Sequence, residues 1–121
     1  MMKVAVLGAS PKPDHYSNMA VRLLREKGHE VIPVNPNYKI IENLSTVATL
    51  DDIKPGEIHS LTVYVNPARS TDMAPLIKRL KSMRVIFNPG TENPPLESEL
   101  QEAGIEVVHA CTLVMLKTGI F

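Results

Sequence analysis

Short apolar runs alternate along this chain with polar stretches of helical spacing. Residues 4–7 are continuously apolar, which predicts a strand buried on both faces. Met19, Leu23 and Leu24 then share one helical face, with Arg22, Arg25 and Glu26 elsewhere, and Gly28 is placed to close that helix. Residues 31–34 read as a second strand. Residues 37–60 read as an irregular stretch, in which Thr46-Val47-Ala48 can form a short strand and Asp51-Asp52-Ile53 a single turn. Residues 61–65 are β-branched and apolar, again a strand. Met73, Leu76, Ile77 and Leu80 fit the i, i+3, i+4, i+7 spacing of a helix, which Ser70 or Thr71 would cap. Residues 85–87 form the next strand. Asn93-Pro94 reads as an N-cap followed by proline at the first helical position, and Leu96, Leu100 and Ala103 as that helix's buried face. Residues 105–108 are the last strand. The apolar tail, 113–121, is expected to be helical at its start and to pack on the sheet or on a second subunit.

This order predicts an α/β fold with a Rossmann-like, doubly wound, mostly parallel five-stranded sheet in three α/β/α layers. The expected strand order is 3-2-1-4-5, within one domain spanning residues 1–121. Ligands of such sheets bind beyond the carboxyl ends of the strands, at the point where the winding reverses.

Composition narrows the class. A length of 121 residues suits one domain. Thirteen basic residues balance thirteen acidic ones, which argues against a nucleic-acid partner. No run approaches the roughly 18 apolar residues of a membrane span. The first residues lead straight into a strand without a signal-peptide layout, so a cytoplasmic location is expected. Cys111 is the single cysteine, which excludes an internal disulfide. With no Trp and two Phe, the core has to be built from Val, Ile, Leu and Met.

Four strand ends carry the candidate chemistry: Gly8-Ala9-Ser10, Val34-Asn35-Pro36, Val65-Asn66-Pro67 and Asn88-Pro89-Gly90. None presents an acid or a histidine. That suits recognition by backbone groups and neutral amides better than acid–base catalysis. Gly8 permits a tight turn, and Ala9 and Ser10 offer N–H donors and a hydroxyl. A helix starting near Ser17-Asn18 would add its positive dipole end, with Lys12 and His15 in the loop between. A pyrophosphate fits such a cradle, although a full G-x-G-x-x-G is missing. The second strand ends at Asn35, where NAD-binding folds place an acid for the ribose hydroxyls. A neutral amide near Lys39 favours a ligand with a phosphorylated ribose. Coenzyme A and NADP both qualify, and residues 35–45 contain no Arg to favour NADP.

Val6-Leu7-Gly8-Ala9-Ser10-Pro11-Lys12-Pro13, then Ser17-Asn18, then Gly28-His29-Glu30-Val31-Ile32-Pro33-Val34-Asn35-Pro36 resembles the small single-domain CoA-binding protein family. That family is similar to the CoA-binding N-terminal domain of the succinyl-CoA synthetase alpha subunit. The likeness extends through Leu50-Asp51-Asp52-Ile53 to Val107-Val108-His109-Ala110-Cys111 and so spans nearly the whole chain. It implies CoA or acyl-CoA as ligand. Gly8, Ala9, Ser10 and Lys12 would line the phosphate turn, and Ser17 and Asn18 would supply the helix start. Val34, Asn35 and Pro36 would border the adenosine, and Val65 and Asn66 the adenine or the pantetheine arm. Asn88 stands where the family usually has Gln, on the side expected for that arm. Ile41-Glu42-Asn43-Leu44 lacks the family's usual Gly. A homodimer or a partner acyl-CoA enzyme is compatible with this reading. So, in a different class, is an NADP-linked reductase or an acyl-CoA synthetase subunit that needs partner chains.

Catalysis by the chain itself finds little support. The synthetase relatives use a phosphorylated histidine in a second domain. His15, His29, His59 and His109 are scattered here. His109 lies two residues before Cys111, but no acid neighbours the pair to orient it, and Cys111 reads as a small buried hydrophobe. No ligands recur at zinc-site spacing.

Overall fold

The computed structural model describes residues 1–121. In chain order the elements are β1 (Lys3–Leu7), α1 (Tyr16–Glu26), β2 (Glu30–Val34), β3 (Ile40–Ile41), β4 (Leu44–Ser45), a 3-10 turn at Leu50–Asp52, β5 (Ser60–Val63), α2 (Pro67–Asp72), α3 (Ala74–Arg79), β6 (Arg84–Phe87), α4 (Pro94–Glu102), β7 (Glu106–His109) and α5 (Thr112–Thr118). Five strands form one sheet, parallel throughout, in the order β2-β1-β5-β6-β7. β3 and β4 make a small antiparallel hairpin beside it. No helix is long and apolar enough to cross a membrane.

The strand order corrects the expected 3-2-1-4-5. The segment at 46–48 does lie outside β2, but only Val47 pairs, as one parallel bridge. Val47 donates to the Pro33 carbonyl and accepts from the Asn35 N–H, each at 3.0 Å. Pro33 has no N–H to continue the ladder, so that edge of β2 cannot carry a full strand. What changes is the place of the third long strand: β5, expected outside β2, pairs with β1 on its other side, and β6 and β7 follow it to the far edge.

Each face of the sheet buries its own cluster. On one face Leu7, Val34, Val63 and Phe87 pack with Leu50, Ile77, Leu80, Leu96 and Leu100. On the other, Val4 and Val6 pack with Val21 and Leu24 of α1 and Leu116 of α5. The tail therefore covers the sheet through Leu113, Met115 and Leu116, while Val114 and Ile120 stay exposed. The apolar core is nearly all aliphatic, as the composition requires, with Phe87 its one fully buried aromatic.

Two helical regions differ from the sequence reading. The helix expected across Met73–Leu80 is α3, and a separate short helix, α2, precedes it. Asn66 caps α2 through its side chain, with Pro67 at the start, and Pro75 restarts the helix as α3. Ser70 and Thr71 are thus inside α2 and not caps. Ala103 is exposed, and Glu97 takes the buried place on α4. Asn93 caps α4 as expected, accepting from the Leu96 N–H.

Candidate functional site

The carboxyl ends of β1, β2 and β5 open into a cleft of about 350 Å³. Leu7 and Gly8 come from β1 and its turn, Val34, Asn35 and Pro36 from the end of β2, and Tyr64 and Val65 from the end of β5. Thr49 and Leu50 close one side, and Arg69, Met73 and Leu76 of the α2–α3 segment close the other. No acidic residue lines it. A second groove of about 320 Å³ continues past Asn35, Pro36 and Asn37 to Tyr38 and Lys39.

Gly8 is the hinge of this site. Its φ is +87°, and a Cβ there would stand 2.9 Å from Val65 Cγ1 and 3.2 Å from the Tyr64 carbonyl carbon. The β1 turn and the end of β5 can touch only because residue 8 has no side chain. The N–H groups of Gly8 and Ala9 both donate to the Val34 carbonyl, at 3.1 and 3.3 Å. They pin the β1 turn to β2, so the Ala9 N–H is not the free donor the sequence suggested. Asn35 reinforces this: its Nδ2 donates to the Ala9 carbonyl (2.8 Å) and its Oδ1 accepts from the Asn37 N–H (2.8 Å). Its amide builds the wall of the cleft.

The start of α1 retains open donors. His15 precedes the helix without a side-chain cap. Ser10, Ser17 and Asn18 make no hydrogen bond through their backbone N–H groups. Their side chains are occupied otherwise. Ser10 Oγ lies 2.7 Å from His15 Nδ1 and accepts from the Lys12 N–H at 3.1 Å. Asn18 is fully buried; its Nδ2 donates to the Ser10 carbonyl and to Glu42 Oε2, and its Oδ1 accepts from Arg22 Nε. Ser17 is buried and Lys12 is exposed. This polar scaffold holds the helix end against the β1 turn and leaves its first amide hydrogens without a partner in the chain, where an anion is favoured.

Of the residues singled out in the sequence, Gly8, Val34, Asn35, Pro36 and Val65 line the cleft. Ala9, Ser10, Lys12, Ser17 and Asn18 form the adjoining turn and helix start outside its lining. Asn66 stands apart from both: it is exposed, and its Oδ1 is spent on the Arg69 N–H at 2.9 Å. The residues missed include Thr49, Leu50 and Tyr64, and the whole α2–α3 wall of Arg69, Met73 and Leu76. Placing the helix start at Asn66-Pro67 would have put Arg69 on its first turn, beside the strand ends.

Asn88 has a different task from the one expected. It is buried, its Nδ2 donates to Thr62 Oγ1 (2.7 Å) and the Val63 carbonyl (2.9 Å), and its Oδ1 accepts from the Thr112 N–H (2.9 Å). It ties β5, β6 and the start of α5 together and is absent from the cleft wall. Cys111 is half-buried, not a core residue. His109 does have an orienting acid: Glu97, reaching in from α4, meets its Nε2 at 2.5 Å. Spacing along the chain hid this pair, because the two residues sit on different elements. Tyr64 has its hydroxyl buried without a partner, and burial pushes its pKa up to about 12.

A CoA binding domain model matches residues 2–117. The uncharacterized protein YneT of Bacillus subtilis is 29% identical over 122 residues, covering 91% of this chain and 87% of that one. A crystal structure of an uncharacterized protein is 40% identical, with a TM-score of 0.91 over 100% of this chain and 98% of that one. A Thermus thermophilus structure is 35% identical, with a TM-score of 0.86 over 98% and 90% of the two chains.

Proposed function

The chain belongs to the CoA binding domain family, and from that premise we propose that it binds CoA or an acyl-CoA across the carboxyl ends of β1, β2 and β5. The adenosine occupies the cleft, against Val34, Val65, Met73 and Leu76. The pyrophosphate lies at the β1 turn, on the open N–H groups of Ser10, Ser17 and Asn18, with Lys12 nearby. Lys39, in the continuing groove, serves the phosphorylated ribose.

One observation carries this reading: the cleft and its adjoining groove contain Arg69 and Lys39 and no carboxylate. An acid at the end of β2 would bind unmodified ribose hydroxyls and repel a ribose phosphate. Asn35 occupies that place, its amide engaged by the Ala9 carbonyl and the Asn37 N–H. The chemistry is therefore binding, and the protein acts as a holder of the nucleotide. Its wider role is that of a carrier, a sensor or a partner of an acyl-CoA enzyme.

Calorimetric titration with CoA, acyl-CoA, NAD and NADP in turn is the test. CoA or acyl-CoA is expected to bind and NAD to give no heat. A response to NADP alone would replace this reading with a reductase. Ser10→Glu is expected to abolish CoA binding while leaving the far-ultraviolet dichroism intact. Undiminished affinity in that variant would show that the phosphate lies elsewhere.

A further inference from the structure

Resting on the CoA reading above, we propose that Glu97 and His109 form a base for the thiol at the far end of the bound ligand. Glu97 is buried, and its carboxylate is held from two sides. Oε2 accepts from the Asn93 N–H at 2.7 Å, and Oε1 meets His109 Nε2 at 2.5 Å. A carboxylate only accepts, so the imidazole gives Nε2–H to it and keeps its lone pair on Nδ1. That nitrogen has no partner within the chain, and the side chain is 57% exposed. Phe87 steadies the ring from below, edge-on, with centroids 6.4 Å apart. A buried acid behind an exposed imidazole is the arrangement that orients a proton acceptor.

Sheet register places this pair on the ligand's path. Val34, Leu7, Val63, Phe87 and His109 lie side by side across β2, β1, β5, β6 and β7. β1, which ends in the Gly8 turn, and β7, which bears His109, are three spacings apart, roughly 14 Å at about 4.8 Å each. The pantetheine arm has the backbone length of about four residues, roughly 14 Å when extended. An arm that leaves the pyrophosphate at the Gly8 turn and follows the carboxyl edge ends at His109. The step is a proton transfer. The thiol S–H bond breaks, the proton goes to Nδ1, and the electron pair stays on sulfur as the thiolate. Glu97 balances the imidazolium that forms. The thiolate is the nucleophilic form of the ligand, so the dyad turns a holder of CoA into one that presents it activated.

The test uses the full-length protein saturated with CoA and treated with iodoacetamide near neutral pH. Carboxamidomethyl-CoA is separated by chromatography from alkylated protein, so that Cys111 does not contribute. Alkylation of CoA bound to wild type is expected to be faster than that of free CoA, and to fall about tenfold or more in His109→Asn. Calorimetric affinity for CoA is expected to stay within about threefold in that variant. Glu97→Gln, in which the ring loses its orienting charge, should show the same affinity and an intermediate rate; Glu97 is then a positioning residue. Equal rates for wild type and His109→Asn, with CoA bound to both, would overturn the dyad and leave the binding reading standing. Wild type that binds no CoA would overturn both. If His109→Asn does not fold, the comparison of free with wild-type-bound CoA decides: no acceleration refutes the proposal.

Discussion

Gly8 shows how much a single position can decide. The sequence already marked it as the turn after an apolar strand, but not why no other residue serves. The reason is the approach of Val65 and Tyr64 from β5, a contact across the switch point. Gly8→Ala combines a left-handed backbone with an overlap at 2.9 Å, so the β1 turn must move away from β5. We expect a loss of about 1–3 kcal/mol in chemical denaturation, with weaker CoA binding by the folded fraction. Unchanged stability would mean the turn has slack that the contact distances deny. His29 and His59 make a second prediction at this scale. Both imidazoles are held below their ordinary value, first by burial. The charges of the amino terminus and then Arg84 add to this at His29; Arg84 adds to it at His59, against a smaller opposing pull from Glu106. The unfolded chain therefore takes up protons first. Stability is full above the ordinary imidazole value of about 6.5 and declines as pH falls through it toward the lowered folded values. Urea midpoints should drop between about pH 7.5 and about pH 5.5, and drop less in His29→Gln and His59→Gln. A midpoint that rises on acidification would contradict the sign. Neither environment was readable from the sequence, because Arg84 reaches both histidines only through the fold.

Among the elements, those with strong local signals were legible: the apolar strands, the Asn93-Pro94 start of α4, and the stop of α1 at Gly28. There the His29 N–H returns to the Leu24 carbonyl and the Gly28 N–H to Arg25. Elements decided by partners were not. A single bridge at Val47 reads like a strand in sequence, and its failure to extend depends on Pro33 across the edge. The α2–α3 break was hidden because Met73, Leu76, Ile77 and Leu80 mark only α3 and its caps, while α2 before it buries Ser70 alone and shows no apolar face. The hairpin of β3 and β4 is the informative exception. Glu42 and Asn43 both have positive φ, 51° and 63°, as a two-residue connection of this type requires. The absence of glycine from 41–44 is thus a local departure that the backbone absorbs. Two contacts hold it: Arg25 Nη1 donates to the Glu42 carbonyl at 2.7 Å, and Asn18 Nδ2 to Glu42 Oε2 at 3.1 Å. Asn43→Gly should keep or raise the melting temperature, whereas Asn43→Val should cost about 1–2 kcal/mol, since a β-branched residue resists this conformation. If Val is tolerated without loss, the hairpin is not held in the left-handed turn.

At the scale of the whole molecule the parallel sheet gives the protein two unlike ends. All five strands point the same way, so every carboxyl end lies on the edge of the sheet that bears the cleft, and every amino end gathers opposite. The amino end closes on itself. Arg84 at the start of β6 donates from Nε to Ser60 Oγ at the start of β5 (2.7 Å) and from Nη2 to the Phe121 carbonyl (3.2 Å). Its guanidinium lies 4.4 Å from the centre of the Phe121 ring, which also rests 5.1 Å from the His29 ring. Here a largely buried cation is held by the Ser60 hydroxyl, the Phe121 carbonyl oxygen and an aromatic face, so residues 60, 84 and 121 are tied together at the end of the sheet away from the cleft. The sequence could show the alternation that makes the sheet parallel, but not that residues 29, 84 and 121 would meet. Stability and binding should therefore separate along the strand axis. Phe121→Ala removes the ring from Arg84 and His29 and is expected to cost about 1–3 kcal/mol, with the calorimetric affinity for CoA of the folded protein unchanged. A loss of affinity without a loss of stability in that variant would mean that the two ends are coupled through the strands, and that the amino end takes part in binding.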